Sequence, residues 1–93
     1  MKKILDILKA KKQYMQTNFS VNSLGLFGSY ARDEANDNSD IDILVTFNEP
    51  TFDHYMDLKF YLEDLLEKPV DVVMEKTIKP RLYNSILQNT RYV

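Results

Sequence analysis

Hydrophobic positions along the chain change from helical spacing to strand spacing and back again. Ile4, Leu8 and Met15 lie on one stripe of a helix predicted over Met1–Thr17. The spacing of the later apolar residues, with glycine and proline as breaks, predicts the other elements. These are strands over Val21–Phe27, Asp40–Phe47 and Val70–Met74, a short helix over Ser29–Ala35, a longer helix over Asp53–Leu66, and a last helix that begins at Pro80.

Strands that alternate with helices predict an α+β fold, in which a small mixed β-sheet is flanked by helices. A chain of 93 residues has room for one such unit, so a single domain over residues 1–93 is expected. No internal repeat and no linker composition interrupts it.

Composition narrows the classes of function. Net charge is −2, which does not favour direct nucleic-acid binding, and the lysines near the start are interpreted as a solvated helix face. Cysteine is absent, which excludes disulfides, thiolate zinc sites and cysteine nucleophiles. No apolar run is long enough to span a membrane, and a cytoplasmic location is expected.

The pair Gly28-Ser29 lies where a predicted strand gives way to a predicted helix. Glycine permits a sharp turn and a close approach of the backbone to a ligand. Ser29 is placed to cap the helix, and exposed N–H groups at such a turn favour an anion, for example a triphosphate. Taken alone, the pair is more typical of an ordinary turn with a cap.

Asp40 and Asp42 are two residues apart on one predicted strand, so both side chains point to the same face. Two carboxylates about 5 Å apart repel by roughly 3 kcal/mol at an effective dielectric constant near 20. Solvent or a cation must relieve that repulsion. The pair therefore fits a cation site and a solvated sheet face equally well.

Asp71 is the one acid in an apolar strand, on the parity opposite to Val70 and Val72. An acid in this position is often a surface residue. If its strand lies beside that of Asp40 and Asp42, three carboxylates converge, as a two-metal site requires. Two metals about 3.5–4 Å apart hold the attacking and leaving oxygens of a displacement at phosphorus.

In this order, these features resemble the nucleotidyltransferase superfamily that includes DNA polymerase beta. The resemblance rests on residues 28–32 (GSYAR) and residues 39–45 (SDIDILV). It is strongest for the minimal prokaryotic branch, the MNT or MntA-like antitoxins that accompany HEPN-domain toxins. The leading helix, residues 68–73 and residues 78–93 also fit, so the resemblance covers nearly the whole chain.

The resemblance implies a polymerase beta-like core, ATP as the nucleotide donor and two Mg²⁺ ions. Asp40 and Asp42 would bind both ions. Asp71 would join the ion that activates the acceptor hydroxyl, and would take the proton of that hydroxyl. Gly28 and Ser29 would hold the β- and γ-phosphates.

The resemblance assigns no single role to Arg32, the last residue of GSYAR, and the chain departs from the family at Asp33, which follows it. Arg32 would contact phosphate or the partner, or would form an ion pair with Asp33 or Glu34, and the ion pair is favoured. The family usually has glycine where this chain has Asp33. If the position needs positive φ, aspartate tolerates it better than most residues.

The acceptor is expected to be large, because the chain has room for a catalytic core and little else. The resemblance implies a protein adenylyltransferase that acts as an antitoxin and modifies a tyrosine of a cognate HEPN ribonuclease toxin. Two alternatives remain open: a non-catalytic module that neutralises its partner by binding, and a nucleotidyltransferase acting on a nucleic-acid end or a small molecule. The sequence leaves open the partner, the number of AMP units, the nucleotide preference and the oligomeric state.

Overall fold

The computed structural model describes residues 2–93, with side-chain burial from residue 4 onward. The predicted start of the first helix at Met1 lies outside the described residues. The predicted helices and strands occur in the predicted order, and a 3₁₀ turn and a fourth strand are present in addition. The elements are α1 (Lys2–Phe19), β1 (Val21–Phe27), α2 (Gly28–Ala31), β2 (Ile41–Phe47), α3 (Phe52–Leu66), β3 (Val70–Met74), a 3₁₀ turn (Glu75–Thr77), α4 (Pro80–Gln88) and β4 (Arg91–Tyr92).

The four strands form one mixed sheet in the order β3-β2-β1-β4. β1 is antiparallel to both of its neighbours, β2 and β4. β2 and β3 are parallel, with α3 as the connection between them. This is the expected α+β fold, a small mixed sheet with flanking helices.

One face of the sheet carries the main hydrophobic core. α1 and α3 pack against this core face. Each helix has an apolar stripe, and this stripe contacts the apolar side chains that alternate residues of the strands turn toward it. The predicted stripe of α1 is confirmed at Leu8 and Met15, which are fully buried. The other fully buried side chains include Leu24, Leu26, Ile41, Ile43, Val45, Leu58 and Leu62.

β3 is an edge strand, and side chains of α3 bond to its outer backbone groups. Tyr55 Oη donates to the Val72 carbonyl at 2.9 Å, and Lys59 Nζ donates to the Val70 carbonyl at 2.6 Å. The Val70 N–H donates to Glu63 Oε2 at 3.2 Å. Edge strands expose unpaired backbone groups, and these three bonds satisfy three of them while they hold β3 against α3.

The chain differs from the sequence prediction in three places. α2 ends at Ala31, four residues before the predicted end at Ala35. β2 begins at Ile41, so Asp40 precedes the strand. The 3₁₀ turn and the two-residue strand β4 were not predicted, because segments so short give no measurable periodicity.

Within residues 2–93, no helix has both the length and the apolar content needed to cross a bilayer.

Candidate active site

Asp42 and Asp71 lie side by side on neighbouring strands. They are register partners in the parallel pairing of β2 and β3, where strands lie about 4.8 Å apart. Each acid is flanked by buried residues, Ile41 and Ile43 around Asp42 and Val70 and Val72 around Asp71. This alternation turns both carboxylates away from the core face, to the face that we call the open face. The adjacency on which the role of Asp71 depends is therefore present.

Asp40 is the exposed residue just before β2, two positions from Asp42. Its charge acts on the carboxyl of Asp42, and so does the charge of Asp71. The three acids that the sequence singled out are thus neighbours in the fold, with Asp42 at the centre.

The carboxyl of Asp42 is half-buried, which gives it an altered acidity. Partial burial raises the pKa of Asp42 above its ordinary value of 3.8, and the charges of Asp71 and Asp40 raise that pKa further. The guanidinium of Arg32 opposes these effects and lowers the pKa. A carboxylate under this strain is stabilised by any cation that approaches the open face.

Gly28 lies against the carboxylate of Asp42. Its neighbour Phe27 is the register partner of Asp42 across β1 and β2. Gly28 has φ +73°, a left-handed conformation that glycine adopts at no steric cost. A Cβ at this position would overlap the Asp42 carboxylate. The first group that a larger side chain at this position would meet is therefore Asp42 itself.

Ser29 does not cap α2, so that prediction was wrong. The helix begins at Gly28 and its N-cap is Phe27, which makes no side-chain capping bond. Ser29 is therefore inside the helix, half-buried, beside the glycine turn. Its carbonyl accepts from Arg32 N–H at 3.2 Å and from Glu34 N–H at 2.9 Å. The hydroxyl of Ser29 has no hydrogen-bond partner among residues 2–93.

α2 ends in a Schellman motif centred on Asp33, which explains why the helix is shorter than predicted. The N–H of Glu34 bonds to the Ser29 carbonyl, and the N–H of Asp33 points to the Tyr30 carbonyl at 3.5 Å. Asp33 has φ +59°, so this position does need the left-handed conformation that the sequence analysis considered. Aspartate adopts it here.

Arg32 forms the local ion pair that the sequence analysis favoured. Its Nε donates to Glu34 Oε1 at 2.7 Å, and both side chains are exposed. Arg32 also acts electrostatically on Asp42, so its charge lies close to the acids of the open face. Contact of Arg32 with phosphate stays a prediction.

The donor set suits a hard divalent cation. Carboxylate oxygens are the ligands that Mg²⁺ prefers, and histidine and cysteine do not contribute. In the described part of the chain, no three acidic or histidine side chains already form a cluster that could hold a metal. Mg²⁺ usually binds through one or two carboxylates together with substrate phosphates, so the fit does not require a complete protein cage.

The C-terminal segment also reaches the open face, which the sequence analysis did not foresee. Arg91 Nε donates to the Ala31 carbonyl at 3.1 Å and so joins β4 to the end of α2. Thr90 and Tyr92 pack over Gly25, the register partner of Leu44. Leu44 is buried although it shares the parity of Asp42. The only sequence signal for β4 is the run Thr90–Val93, which is rich in strand-forming residues but very short.

A family model described as "Nucleotidyltransferase domain" matches residues 1–93. The chain is also similar to the protein adenylyltransferase MntA of Thermococcus cleftensis. The two are 40% identical over 94 residues, which cover 100% of this chain and 95% of that protein.

Two solved structures have the same fold. The structure of a minimal nucleotidyltransferase is 34% identical, with a TM-score of 0.75 over 96% of this chain and 93% of the other. The second is the MNT antitoxin in complex with a tri-AMPylated HEPN toxin of Shewanella oneidensis. It is 20% identical, with a TM-score of 0.65 over 94% of this chain and 69% of the other, and this likeness concerns the fold alone.

Proposed function

The chain belongs to the nucleotidyltransferase domain family, and from that premise we propose that it transfers AMP from ATP to a tyrosine hydroxyl of a HEPN-domain toxin. In this role it is an antitoxin that silences the ribonuclease activity of its partner. The observation that carries the proposal is the position of Asp42, half-buried opposite Asp71 and against the Gly28 turn.

Asp40 and Asp42 would hold two Mg²⁺ ions, and Asp71 would hold the ion nearer the acceptor. When bound, these ions neutralise charge on the triphosphate and acidify the acceptor hydroxyl. Gly28 leaves the path to Asp42 open, because it carries no Cβ. Ser29 offers a free hydroxyl and the adjacent backbone N–H groups to the β- and γ-phosphates.

The reaction that fits these groups is an in-line displacement at the α-phosphorus. The tyrosine oxygen forms a bond to the α-phosphorus while the bond from that phosphorus to the α,β-bridging oxygen breaks. Pyrophosphate leaves, and the hydroxyl proton passes to Asp71. Asp71 is exposed on the open face, so an approaching acceptor has access to its carboxylate.

The partner and the donor are supported by the relatives. The Thermococcus protein is named a protein adenylyltransferase, and the Shewanella complex holds an AMPylated HEPN toxin beside the antitoxin. A HEPN protein encoded beside this chain, with an Arg-x4-His motif, is the expected acceptor. We call it the candidate partner.

Labelled ATP tests the proposal. The candidate partner and Mg²⁺ are mixed with ATP labelled at the α-phosphate or, separately, at the γ-phosphate. We expect only the α label to remain on the partner, whose mass should increase by one AMP unit or a few. The γ label should leave as pyrophosphate. Retention of the γ label would instead indicate phosphoryl transfer and would contradict the mechanism.

Asp42→Asn provides the control for the non-catalytic alternative. If the chain is an enzyme, this variant should transfer no label and should not protect cells from the toxin. A variant that transfers nothing yet still protects would support neutralisation by binding alone.

A further inference from the structure

α4 is an amphipathic helix whose apolar side is only partly covered. Leu82, Tyr83, Ile86 and Leu87 fall on one stripe, yet none of the nine residues of α4 is buried. Leu82 is 46% exposed and Tyr92, just beyond the helix, is also 46% exposed. A helix of this pattern usually buries its apolar stripe, so the fold leaves a surface here without a partner.

The C-terminal end of this surface lies on the same side of the sheet as the acids. Tyr83 Oη donates to Glu75 Oε1 at 2.7 Å, which fixes the start of α4 beyond the end of β3. Thr90, just past the end of α4, contacts Gly25 on the open face. Gly25 pairs with Leu44, which is two residues from Asp42 and therefore about 7 Å along the strand.

The same segment is basic in an acidic chain. Residues 75–93 hold four cations and one acid, a net charge of +3, whereas residues 1–74 have a net charge of −5. The acid, Glu75, is already bonded to Tyr83. None of the four cations forms an ion pair with any of the residues that the structure describes. They are Lys76, Lys79, Arg81 and Arg91, and all four are exposed.

Exposed apolar side chains also occur away from α4, and Phe60 is one that lies on the side of the sheet opposite to the acids. Phe60 is 55% exposed on the outer side of α3, a helix that packs on the core face through Leu58 and Leu62. Exposed acids surround it, Asp53, Asp57 and Asp64. A protein docked there would have the sheet between itself and Asp42.

We propose that α4, Tyr92 and the four cations form the docking surface for the acceptor protein, and that the acceptor presents an acidic surface around an apolar centre. The inference rests on the proposed function, because a protein acceptor must be held beside Asp42 and Asp71. An apolar centre with a charged rim, containing Tyr and Arg, is the usual anatomy of a protein interface.

Two pairs of matched variants test the surface. Leu82→Glu and Arg81→Glu change α4, while Phe60→Glu and Lys11→Glu make equivalent changes on α3 and α1. The dissociation constant for the purified candidate partner is measured without ATP by calorimetry. We expect the two α4 variants to weaken binding by about tenfold or more and the two controls to bind like the parent chain. Equal affinity in all variants, or loss confined to Phe60→Glu, would overturn the proposal.

Fold and salt provide further checks. Circular dichroism and the Tm shift caused by Mg²⁺ and ATP should match the parent chain in both α4 variants. If an α4 variant does not fold, the salt dependence of binding by the parent chain is the test. Its affinity for the candidate partner should fall as the salt concentration rises. Affinity that does not depend on salt would contradict the acidic complement.

The result is separable from the proposed function, because binding is measured without nucleotide. If the α4 variants lose binding and the parent chain transfers no label, the docking surface is supported and the proposed enzymatic activity is contradicted. A single-stranded RNA oligomer is the competing probe. If the α4 variants lose RNA binding but hold the candidate partner normally, the surface binds RNA and the proposal is wrong.

Discussion

Asp42 is the residue at which stability and function conflict. Its carboxyl is partly removed from water and lies close to two other acids, so the charged form is destabilised in the folded chain. Nothing in the packing requires an acid at this position, because Asn has the same shape and can accept hydrogen bonds without the charge. An acid at this position is what the proposed cation site would require.

Asp42→Asn should raise the Tm of the metal-free chain at neutral pH and lower the rate of label transfer by about 100-fold or more. The stability rises because the destabilised charge is removed. The rate falls because a metal ion contributes several kcal/mol of charge stabilisation. Thermal unfolding and the α-label assay measure the two effects. A variant less stable than the parent chain would mean that Asp42 is a structural residue.

The pH dependence of that comparison has a definite sign. The folded pKa of Asp42 is raised, so the folded chain binds the proton more tightly than the unfolded chain does. The penalty is full above the folded pKa and is absent below the unfolded pKa. The Tm advantage of Asp42→Asn should therefore shrink as the pH falls from the folded pKa to the unfolded pKa. Asp57→Asn, an exposed acid of α3, should show no comparable advantage.

Gly28→Ala should destabilise the chain and impair ATP binding. A non-glycine residue at φ +73° costs about 1–2 kcal/mol, and the new Cβ would also displace the Asp42 carboxylate. A double-mutant cycle separates the backbone cost from the overlap with the carboxylate. In an Asp42→Ala background the backbone cost remains, whereas the overlap with the carboxylate oxygen is removed. Equal costs in both backgrounds would show that contact with Asp42 is irrelevant.

At the scale of elements, helix ends store strain that the sequence pattern does not show. α2 and α3 are each followed by a non-glycine residue in the left-handed region, Asp33 with φ +59° and Glu67 with φ +54°. Glycine is usual at such positions because it has no Cβ. Asp33 lies near the acids of the open face, whereas Glu67 lies at the far end of α3. The cost of the left-handed backbone is therefore best measured at Glu67, where changes at the site do not contribute.

Glu67→Gly should raise the free energy of unfolding by about 1 kcal/mol, because it removes the left-handed penalty. Asp64→Gly, within α3, should lower it slightly, by about 0.3 kcal/mol, because glycine weakens a helix interior somewhat more than aspartate does. Urea unfolding of both variants measures the two values. Destabilisation by Glu67→Gly would show that contacts of the Glu67 side chain outweigh the backbone strain.

At the scale of the whole molecule, ligand binding should report on the three acids together. Mg²⁺ with a non-hydrolysable ATP analogue should raise the Tm, because a ligand at 100 times its dissociation constant stabilises by about 2.7 kcal/mol. The shift should disappear in Asp42→Asn and persist in Asp57→Asn. A shift of equal size in both variants would place the nucleotide away from the open face.

The local sequence determined most of the elements and the facing of the acids. Strand bounds at Val21–Phe27 and Val70–Met74 were predicted correctly, because period-2 alternation and the flanking breaks are local signals. The same alternation placed Asp42 and Asp71 on the polar parity. The motif around Gly28 then indicated the family.

Tertiary structure alone decided which of these local features meet. Asp42 and Asp71 are 29 residues apart, and only the parallel pairing of β2 and β3 makes them register partners. The Schellman motif at Asp33 displaced the predicted end of α2, and the helix start at Gly28 removed the predicted cap by Ser29. Leu44 is buried on the open face, where Thr90 and Tyr92 of the C-terminal segment contact its register partner Gly25. The pairing of β2 with β3 and the contacts of the C-terminal segment join distant parts of the chain, and their energies arise only when those parts pack together, so no local window of sequence contains them. The two differences in α2 are local, and hydrophobic periodicity does not report backbone bonds of this kind.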